Sequence, residues 1–459
     1  MNQSDTAGTL AQRMRHTPYQ AYSYSYPHKT AYRPLAQPAS LAALWREQDR
    51  SALFAYIHIP FCEMRCGFCN LFAMARPQPE LVDRYVAQIL VQMRALDRVL
   101  GERRFARFAL GGGTPTYLSA AQLQTLLDGA RDILGIDLQA TPSGIEASPE
   151  TVTPERLAVC RGMGIDRVSL GVQSFAAAEM RSLARPQQNE IVQRAIGHIR
   201  DTGFPTLNLD LIYGIAGQTG ASLLASIDSA LAFAPEELYL YPLYVRPHTG
   251  LGKVARRQGV TSFDPVMLAQ DGDSRMALYE AARDHLLARG YEQVSMRMFR
   301  APHAPQQDGP SYCCQNDGMV GLGAGARSYT RQLHYSTDYA VGRSGTIDII
   351  QDFLALDAAG FSQARHGFVL GPEEQRRRYA IQSLLTEPGL DLGAYRERFG
   401  SDCLRDLPQL LELDPLGLLE DQPGMLRLNR RGYAYADTIG PWLASDAVRD
   451  LMAAGAPAC

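Results

Sequence analysis

Three cysteines stand within eight residues of this sequence, as Cys62, Cys66 and Cys69 in a C-x3-C-x2-C spacing. Thiolates are soft ligands that suit iron–sulfur clusters or zinc. A [4Fe–4S] cube has four irons, so three thiolates leave one iron open for another ligand. A three-Cys zinc knot, with His58 as the nearest fourth ligand, and three unrelated core thiols are the alternatives. The tight spacing favours a three-thiolate cluster site.

The composition is that of an ordinary globular protein. Of 459 residues, 46% are hydrophobic and 20% are charged, and a net charge of −3 gives no electrostatic reason to expect nucleic acid or a membrane as partner. Eight cysteines in so long a chain do not form a disulfide framework, and a cluster site needs reduced thiols. The sequence has no signal-peptide pattern and no apolar run of about 18 residues. We therefore expect a cytoplasmic protein.

Strand-like and helical segments alternate from residue 53 onward. The strand-like segments are residues 54–59, 105–110, 143–147, 167–174, 206–214 and 238–244. Segments with helical spacing of apolar residues separate them, for example 81–100, 120–134 and 189–200. Repeated strand–helix units imply parallel strands with right-handed crossovers. Six units fall short of the eight in a closed barrel, so we predict an α/β fold with an open (β/α)6 partial TIM barrel.

The sequence suggests four parts: an N-terminal arm (1–50), the barrel (51–300), a connecting segment with a Gly-rich loop (301–370) and a C-terminal domain (371–459). The arm carries five tyrosines over 19–34, together with His28, Lys29 and Arg33, and either closes a site over the main domain or packs its rings on the surface. The barrel is expected to end in a helix over 265–289 and a strand over 291–298. Helices over 379–385, 392–399 and 403–411, then a hairpin of 416–420 and 425–428, give the last part a winged-helix-like α+β order.

Ligands gather at the carboxyl ends of the strands in parallel α/β folds, which groups several residues of this sequence. The cysteine loop leaves the first strand. The glycines 111–113 leave the second, where missing side chains allow close approach to the backbone. The next three strands end near Glu146, Gln173 and Asp210, and Arg185 follows in a loop. Carboxylates and amides bind ribose and ammonium groups, and an arginine binds a carboxylate, so this set suits a zwitterionic, ribose-bearing ligand.

The pattern Y-I-H-I-P-F-C-x3-C-x-F-C at residues 56–69, with G-G-G-T-P-T at 111–116, resembles the radical S-adenosylmethionine superfamily. More narrowly, the chain is similar to the oxygen-independent coproporphyrinogen III oxidase-like family. The resemblance implies a [4Fe–4S] cluster on Cys62, Cys66 and Cys69, whose open iron chelates S-adenosylmethionine and yields a 5′-deoxyadenosyl radical after one-electron reduction. It also implies an electron donor such as flavodoxin or ferredoxin, and a small-molecule substrate such as a tetrapyrrole.

The family pattern also implies cofactor contacts. The first S-adenosylmethionine would meet Tyr56, Phe68, Gly112 and Glu146, with Ala324 of the Gly-rich loop nearby. A second molecule would meet Gly113, Thr114, Gln173, Arg185 and Asp210. The pattern assigns no catalytic residue. The C-terminal tail resembles the domain that covers the substrate in the family.

One departure from the family pattern bears on the reaction. The authentic oxidase has a further Cys two positions after the third ligand, where this chain has Leu71. Three functions stay open: oxidative decarboxylation of a tetrapyrrole, radical C-methylation that uses two S-adenosylmethionines, and a non-catalytic haem chaperone. For the last, the candidate axial ligands are His58, His248, His303 and His334.

The remaining cysteines are expected to be structural. The adjacent Cys313 and Cys314 precede the Gly-rich loop, but one adjacent pair does not make a metal site. Cys160 lies on the apolar face of a predicted helix, and Cys403 and Cys459 have no evident partner.

Overall fold

The computed structural model describes residues 8–16, 18–260, 274–306 and 312–454. Its strands are β1 (Arg33–Ser40), β2 (Leu53–Ile59), β3 (Phe61–Cys62), β4 (Met74–Ala75), β5 (Phe105–Gly112), β6 (Ser143–Ala147), β7 (Arg167–Gln173), β8 (Thr206–Tyr213), β9 (Glu237–Pro242), β10 (Glu292–Gln293), β11 (Met298–Arg300), β12 (Met319–Leu322), β13 (Arg327–Tyr329), β14 (Leu333–Ser336), β15 (Gln363–Val369), β16 (Leu390–Asp391) and β17 (Met425–Leu426). Thirteen of them form one sheet, in the order β1-β15-β14-β13-β12-β2-β5-β6-β7-β8-β9-β11-β10.

Six strands of this sheet run parallel and pair in chain order, from β2 through β5, β6, β7 and β8 to β9. Helices lie between consecutive strands, as parallel pairing requires. The sheet is open, with β1 at one edge and β10 at the other. The predicted α/β fold with six strand–helix units is therefore confirmed.

The helices span Leu10–His16, Leu41–Arg46, Pro79–Leu100, Ala120–Asp132, Pro154–Gly162, Ala177–Ser182, Asn189–Thr202, Gly220–Leu231, Gly250–Arg257, Arg275–Ala288, Cys314–Asp317, Arg343–Ala355, Pro372–Leu384, Leu392–Phe399, Cys403–Asp406, Arg430–Ala434, Ala436–Leu443 and Asp446–Ala454. Local sequence sets several of their starts. Ser119 and Gln122 form a capping box, for example, and Pro154 occupies the first turn of its helix. Within the described ranges, no helix is long and apolar enough to cross a membrane.

The end of the barrel differs from the prediction. The expected strand over 291–298 is a hairpin of two short strands, β10 and β11. The Ser295 hydroxyl accepts hydrogen bonds from the backbone N–H groups of Arg297 and Met298, at 3.2 and 3.1 Å, and this local turn interrupts the strand. The helix expected over 265–289 spans Arg275–Ala288, and its expected start lies outside the described residues.

Residues 301–370, expected as a connecting segment, contribute four strands to the main sheet. β12 pairs parallel with β2, and β13, β14 and β15 continue the sheet in antiparallel fashion. A Cβ on Gly321 of β12 would lie 2.2 Å from the carbonyl oxygen of Arg327, so the close approach of β12 and β13 requires glycine there. The Gly-rich loop is the turn between these two strands, and it lies beside β2.

The N-terminal arm is part of the folded body. β1 pairs with β15 at the edge of the sheet, and the buried Trp45 donates its indole N–H to the Tyr335 hydroxyl at 3.0 Å. Tyr19, Tyr26 and Tyr32 are at most 4% exposed. These three rings of the arm are therefore packed within the folded body, and closure of a site by the arm stays a prediction.

The C-terminal region has its own hydrophobic core, to which Leu10 of the first helix contributes. The helix expected over 403–411 stops at Asp406 and continues as a 3-10 turn, because Pro408 lacks the N–H that would extend it. The expected hairpin also differs. β17 pairs with β16, and residues 416–420 meet 425–428 through a single bridge between Leu419 and Leu428.

A buried ion pair joins the barrel to the C-terminal region. The Arg297 guanidinium donates to both carboxylate oxygens of Asp437, and each side chain is at most 3% exposed. The Tyr244 hydroxyl donates to the same carboxylate at 2.7 Å. The Asp437 carbonyl accepts from the backbone N–H groups of Gln20 and Ala21 in the arm, at 3.3 Å each. One residue thus contacts the barrel and the arm.

We expect Asp437→Asn to lower the free energy of unfolding by about 3–5 kcal/mol, because it leaves the buried Arg297 without a counter-ion. Denaturant titration followed by circular dichroism measures this. Asp446→Asn, in an ion pair whose carboxylate is 86% exposed, is the matched control and should leave the midpoint nearly unchanged. Equal midpoints for both variants would contradict the assigned role.

Candidate metal and cofactor site

The three cysteines lie on a loop that is tied back to the end of β2. β3 and β4 pair across the loop, and the N–H groups of Met74 and Arg76 donate to the carbonyls of Pro60 and Cys62 at 2.6 and 2.9 Å. At the middle of the loop, the Gly67 N–H donates to the Leu183 carbonyl at 3.0 Å. A Cβ on Gly67 would lie 2.7 Å from that carbonyl oxygen, so this contact requires glycine. The loop is thereby held in one conformation.

The three thiols are partly buried, and none of them forms a disulfide. Cys62, Cys66 and Cys69 are free cysteines. Burial raises the pKa of Cys62 to about 12 and that of Cys66 to about 11, and the pKa of Cys69 is raised for the same reason. The negative charge of the Cys69 thiolate also raises the pKa of Cys62 and of Cys66. A bound metal centre would reverse these shifts, because metal binding releases the thiol protons.

The donor set fits a [4Fe–4S] cluster better than a single ion. Among the described residues, no three His, Cys, Asp or Glu side chains converge closely enough to hold one metal ion. His58, the candidate fourth zinc ligand, has both ring nitrogens occupied: Nε2 lies 3.0 Å from the Phe72 carbonyl oxygen and Nδ1 lies 3.3 Å from the Tyr56 hydroxyl. In a cube each thiolate binds a different iron, so its ligands stand further apart.

The glycines that end β5 leave room beside the thiols. A Cβ on Gly113 would lie 2.9 Å from the Cys62 sulfur, and one on Gly111 would lie 2.9 Å from the Tyr56 hydroxyl. Gly112 adopts a positive φ of 118° and donates its N–H to Glu146 Oε2 at 2.9 Å. Side chains at these three positions would occupy the space between the strand ends and the cysteine loop.

Two carboxylates line this space. The Glu146 side chain is accessible to solvent yet surrounded by protein, which places it on the wall of an internal cavity. Burial raises the pKa of Glu146 to about 7, although the hydrogen bond from Gly112 opposes the shift. Asp210 accepts from Asn208 Nδ2 at 2.8 Å, and burial raises its pKa to about 6. Both groups are positioned to receive a cationic or hydroxyl-bearing ligand.

Gln173 and Arg185 meet next to these acids. Gln173 has a positive φ of 71° at an irregularity between β7 and β8. A Cβ on Gly171 would lie 2.9 Å from Gln173 Nε2 and 3.6 Å from Arg185 Nη1, so both side chains approach the same glycine. Arg185 is 5% exposed and donates to the Gly171 carbonyl at 2.8 Å. Its charge also acts on all three thiols and on Asp210, which locates it between the cysteine loop and the strand ends.

The other residues suggested by the sequence surround the same region. Thr114 donates its hydroxyl hydrogen to the Cys62 sulfur at 3.5 Å. Phe68 packs against a small cluster that includes Leu183 and Ile212. Ala324 is fully buried, and its carbonyl accepts from the Tyr85 hydroxyl at 3.5 Å, the same hydroxyl that donates to the His58 carbonyl of β2 at 3.0 Å.

Among the basic residues of this cavity, the sequence pattern singled out Lys29 but not Arg327. Lys29 of the arm and Arg327 of β13 are partly accessible but surrounded by protein, as Glu146 is. Lys29 stands among the tyrosines of the arm, which made it a candidate. No local pattern marked Arg327, which meets the arm across 302 positions of sequence through its hydrogen bond to Ser25.

Comparison with known proteins shows which family the chain resembles. Residues 56–230 match the family described as the radical SAM superfamily. The chain is 27% identical to the heme chaperone HemW of Bacillus subtilis, over 82% of this chain and 95% of that protein. It is 31% identical to the heme chaperone HemW of Escherichia coli, over 60% of this chain and 69% of that protein. It is 26% identical to the oxygen-independent coproporphyrinogen III oxidase of Salmonella typhimurium over 90% of both.

A solved structure has the same fold. The coproporphyrinogen III oxidase HemN from Escherichia coli superposes with a TM-score of 0.75 at 23% identity, covering 92% of this chain and 96% of that one. The fold, the cysteine motif and these relatives lead to one conclusion. The chain belongs to the radical SAM superfamily, in the group that contains the oxygen-independent coproporphyrinogen III oxidases and the HemW proteins.

Proposed function

We propose that this protein is a radical S-adenosylmethionine enzyme of the coproporphyrinogen III oxidase type. The observation that carries the proposal is the convergence of Tyr56, Gly112 and Glu146 beside Cys62 at the strand ends. When bound, a [4Fe–4S] cluster and S-adenosylmethionine supply a 5′-deoxyadenosyl radical that abstracts hydrogen from a substrate. Cys62, Cys66 and Cys69 would hold the cluster.

The chain's own residues would position the first S-adenosylmethionine. Glu146, oriented by the Gly112 N–H, would accept hydrogen bonds from the ammonium or ribose of the ligand. Tyr56 and Phe68 would flank it, and the Ala324 backbone would approach from the turn between β12 and β13. The surrounding protein lowers the effective dielectric at Glu146, which raises its pKa and strengthens this contact.

We further propose a second ligand position formed by Gly113, Thr114, Gln173, Arg185 and Asp210. Arg185 would bind a carboxylate, because it has no carboxylate within ion-pair distance in the described part of the chain. Asp210 would receive hydroxyl or ammonium groups. A second S-adenosylmethionine fits this set, and its use as a methyl donor would make the protein a radical C-methyltransferase.

The proposed substrate is a tetrapyrrole or a related small molecule, with a one-electron donor as partner. The names of the relatives support it, since they comprise coproporphyrinogen III oxidases and heme chaperones. A chaperone that binds haem through histidine is less well supported. His334 is fully buried and lies 2.8 Å from Arg378 Nη1, and His58 is engaged through both ring nitrogens.

We expect Cys66→Ala to abolish cluster binding, because a two-thiolate site cannot hold the cube. After anaerobic reconstitution, the wild type should contain about four irons per chain. The variant should contain less than about one, with a loss of more than about 100-fold in 5′-deoxyadenosine formation. Cys160→Ala, a buried cysteine outside the loop, is the control and should retain iron. Equal iron in both variants would rule out the cluster assignment.

We expect Glu146→Gln to weaken S-adenosylmethionine binding by roughly 10-fold or more without loss of iron, because it removes a charge-assisted hydrogen bond. Calorimetry on the reconstituted protein measures the affinity. Glu155→Gln, an exposed glutamate at the next helix, should bind as the wild type does. An unchanged affinity in Glu146→Gln would place the ligand elsewhere.

The raised pKa of Glu146 predicts a pH dependence. The carboxylate is the form that accepts hydrogen bonds from the ligand, and burial raises its pKa to about 7. S-Adenosylmethionine affinity should therefore fall as the pH drops below about 7, by about 10-fold per unit where the group is mostly protonated. Glu146→Gln should lose this dependence. An affinity that does not change between pH 6 and 8 in the wild type would contradict the role of Glu146.

A further inference from the structure

Lysine is rare in this chain, and one of its lysines lies in the cavity described above. Of 45 lysines and arginines, Lys29 and Lys253 are the two lysines. Lys253 is exposed on the helix Gly250–Arg257, whereas Lys29 is surrounded by protein in the arm. This chain uses arginine at almost every position that needs a cation. Lys29 therefore places a compact ammonium group, rather than a planar guanidinium, inside the cavity.

Lys29 lies next to the cysteine loop. Its Nζ stands 3.6 Å from the centre of the Tyr339 ring, and the Tyr339 hydroxyl donates to the carbonyl of Asn70, the residue after Cys69. Burial and the neighbouring Arg327 lower the pKa of Lys29 well below its usual value. An anion bound between these two cations would stabilise both charges.

Arg327 and Arg246 complete a group of three cations. The Arg327 guanidinium lies 4.9 Å from the ring of Tyr24 and donates to the Ser25 hydroxyl at 3.3 Å. The Arg246 guanidinium lies 4.7 Å from the ring of Tyr244. The charges of all three cations reach His28. Burial lowers the pKa of its imidazole well below the usual value, and the charges of Lys29, Arg327 and Arg246 lower it further. They therefore surround one small region of the cavity.

Among the residues that the structure describes, this group has no counter-ion. In the described ranges of the chain, no carboxylate lies within ion-pair distance of Lys29, Arg246 or Arg327, whose side chains contact aromatic rings and the Ser25 hydroxyl instead. Enclosed charges without counter-ions are costly, and ring contacts offset only part of that cost. Such a group is built to receive an anion.

The cavity therefore has a region with acidic groups and a separate region with basic groups. Burial is the main cause of the raised pKa of Tyr56. The charge of Glu146 raises this pKa further and the charge of Arg327 lowers it, so Tyr56 lies near both charges. Glu146 and Asp210 suit the cationic S-adenosylmethionine, whereas the three cations suit a partner of opposite charge. Tyrosine rings beside all three cations also offer an apolar surface to the body of that partner.

We propose that Lys29, Arg246 and Arg327 bind a carboxylate group of the substrate, so that the N-terminal arm forms part of the substrate site. The identification of this anion as substrate rests on the proposed function. A carboxylate is favoured over a phosphate because the three cations come from three separate segments and stand beside aromatic rings, which suits acid groups at the edge of a larger apolar body.

The test uses the reconstituted full-length protein and two probes, coproporphyrin III followed by its fluorescence and benzene-1,3,5-tricarboxylate followed by calorimetry. Each is compared with its methyl ester, and inorganic phosphate is titrated separately. We expect saturable binding of at least one acid and at least 10-fold weaker binding of its ester. Lys29→Gln and Arg327→Gln should each weaken acid binding by about 10-fold or more. Arg327→Lys, which keeps the charge but loses the planar guanidinium that stacks on Tyr24, should bind the acid more tightly than Arg327→Gln and more weakly than the wild type.

Matched controls are Lys253→Gln and Arg331→Gln, which remove exposed cations and should leave acid binding unchanged. Thermal melts establish that each variant is folded. The proposal is overturned if neither acid binds, if acid and ester bind equally, if Lys29→Gln and Arg327→Gln bind as the wild type does, or if phosphate binds and the carboxylates do not. Cleavage of S-adenosylmethionine is measured in parallel. Carboxylate binding without cleavage would reject the radical enzyme and keep the anion site.

Discussion

The parallel register between β2 and β5 is the constraint on which the site depends. Ile59, at the end of β2, pairs with Gly112, and the Gly113 N–H donates to the Ile59 carbonyl at 2.8 Å. The Thr114 N–H continues the contact to Phe61 at 2.9 Å. The cysteine loop begins at Cys62, directly after Phe61. This register therefore places the thiols directly against the glycines at the end of β5. A shift of one position would place side chains where the loop now lies.

The cavity above these strand ends separates charges of opposite sign. The acids of β6 and β8 stand on the side that would receive a cationic cofactor. Cations from the arm, β13 and the loop after β9 stand where an anionic group would lie. Low effective dielectric inside the protein strengthens both sets of interactions, so each ligand would be directed to its own position. The same physical feature explains why the pKa of Glu146 rises while that of Lys29 falls.

Much of the site could be predicted because parallel strands end at one edge of a sheet. That rule alone groups Glu146, Gln173, Asp210 and the glycines of β5 with the cysteine loop. Strand periodicity failed for the hairpin at 291–298, where a single serine turn outweighed it. It also failed for the C-terminal hairpin, since the partner of β17 is β16, which precedes it by two helices.

The sequence by itself determined the cysteine motif and the barrel, because thiol spacing, glycine runs and apolar periodicity are local properties of the chain. Only the tertiary structure decided what encloses the site. Arg327 reaches Ser25 and Asp437 reaches Arg297 across long separations in the chain, and no local pattern encodes such meetings. They arise because the arm, the late strands and the C-terminal region each bury apolar surface that has no partner within its own segment.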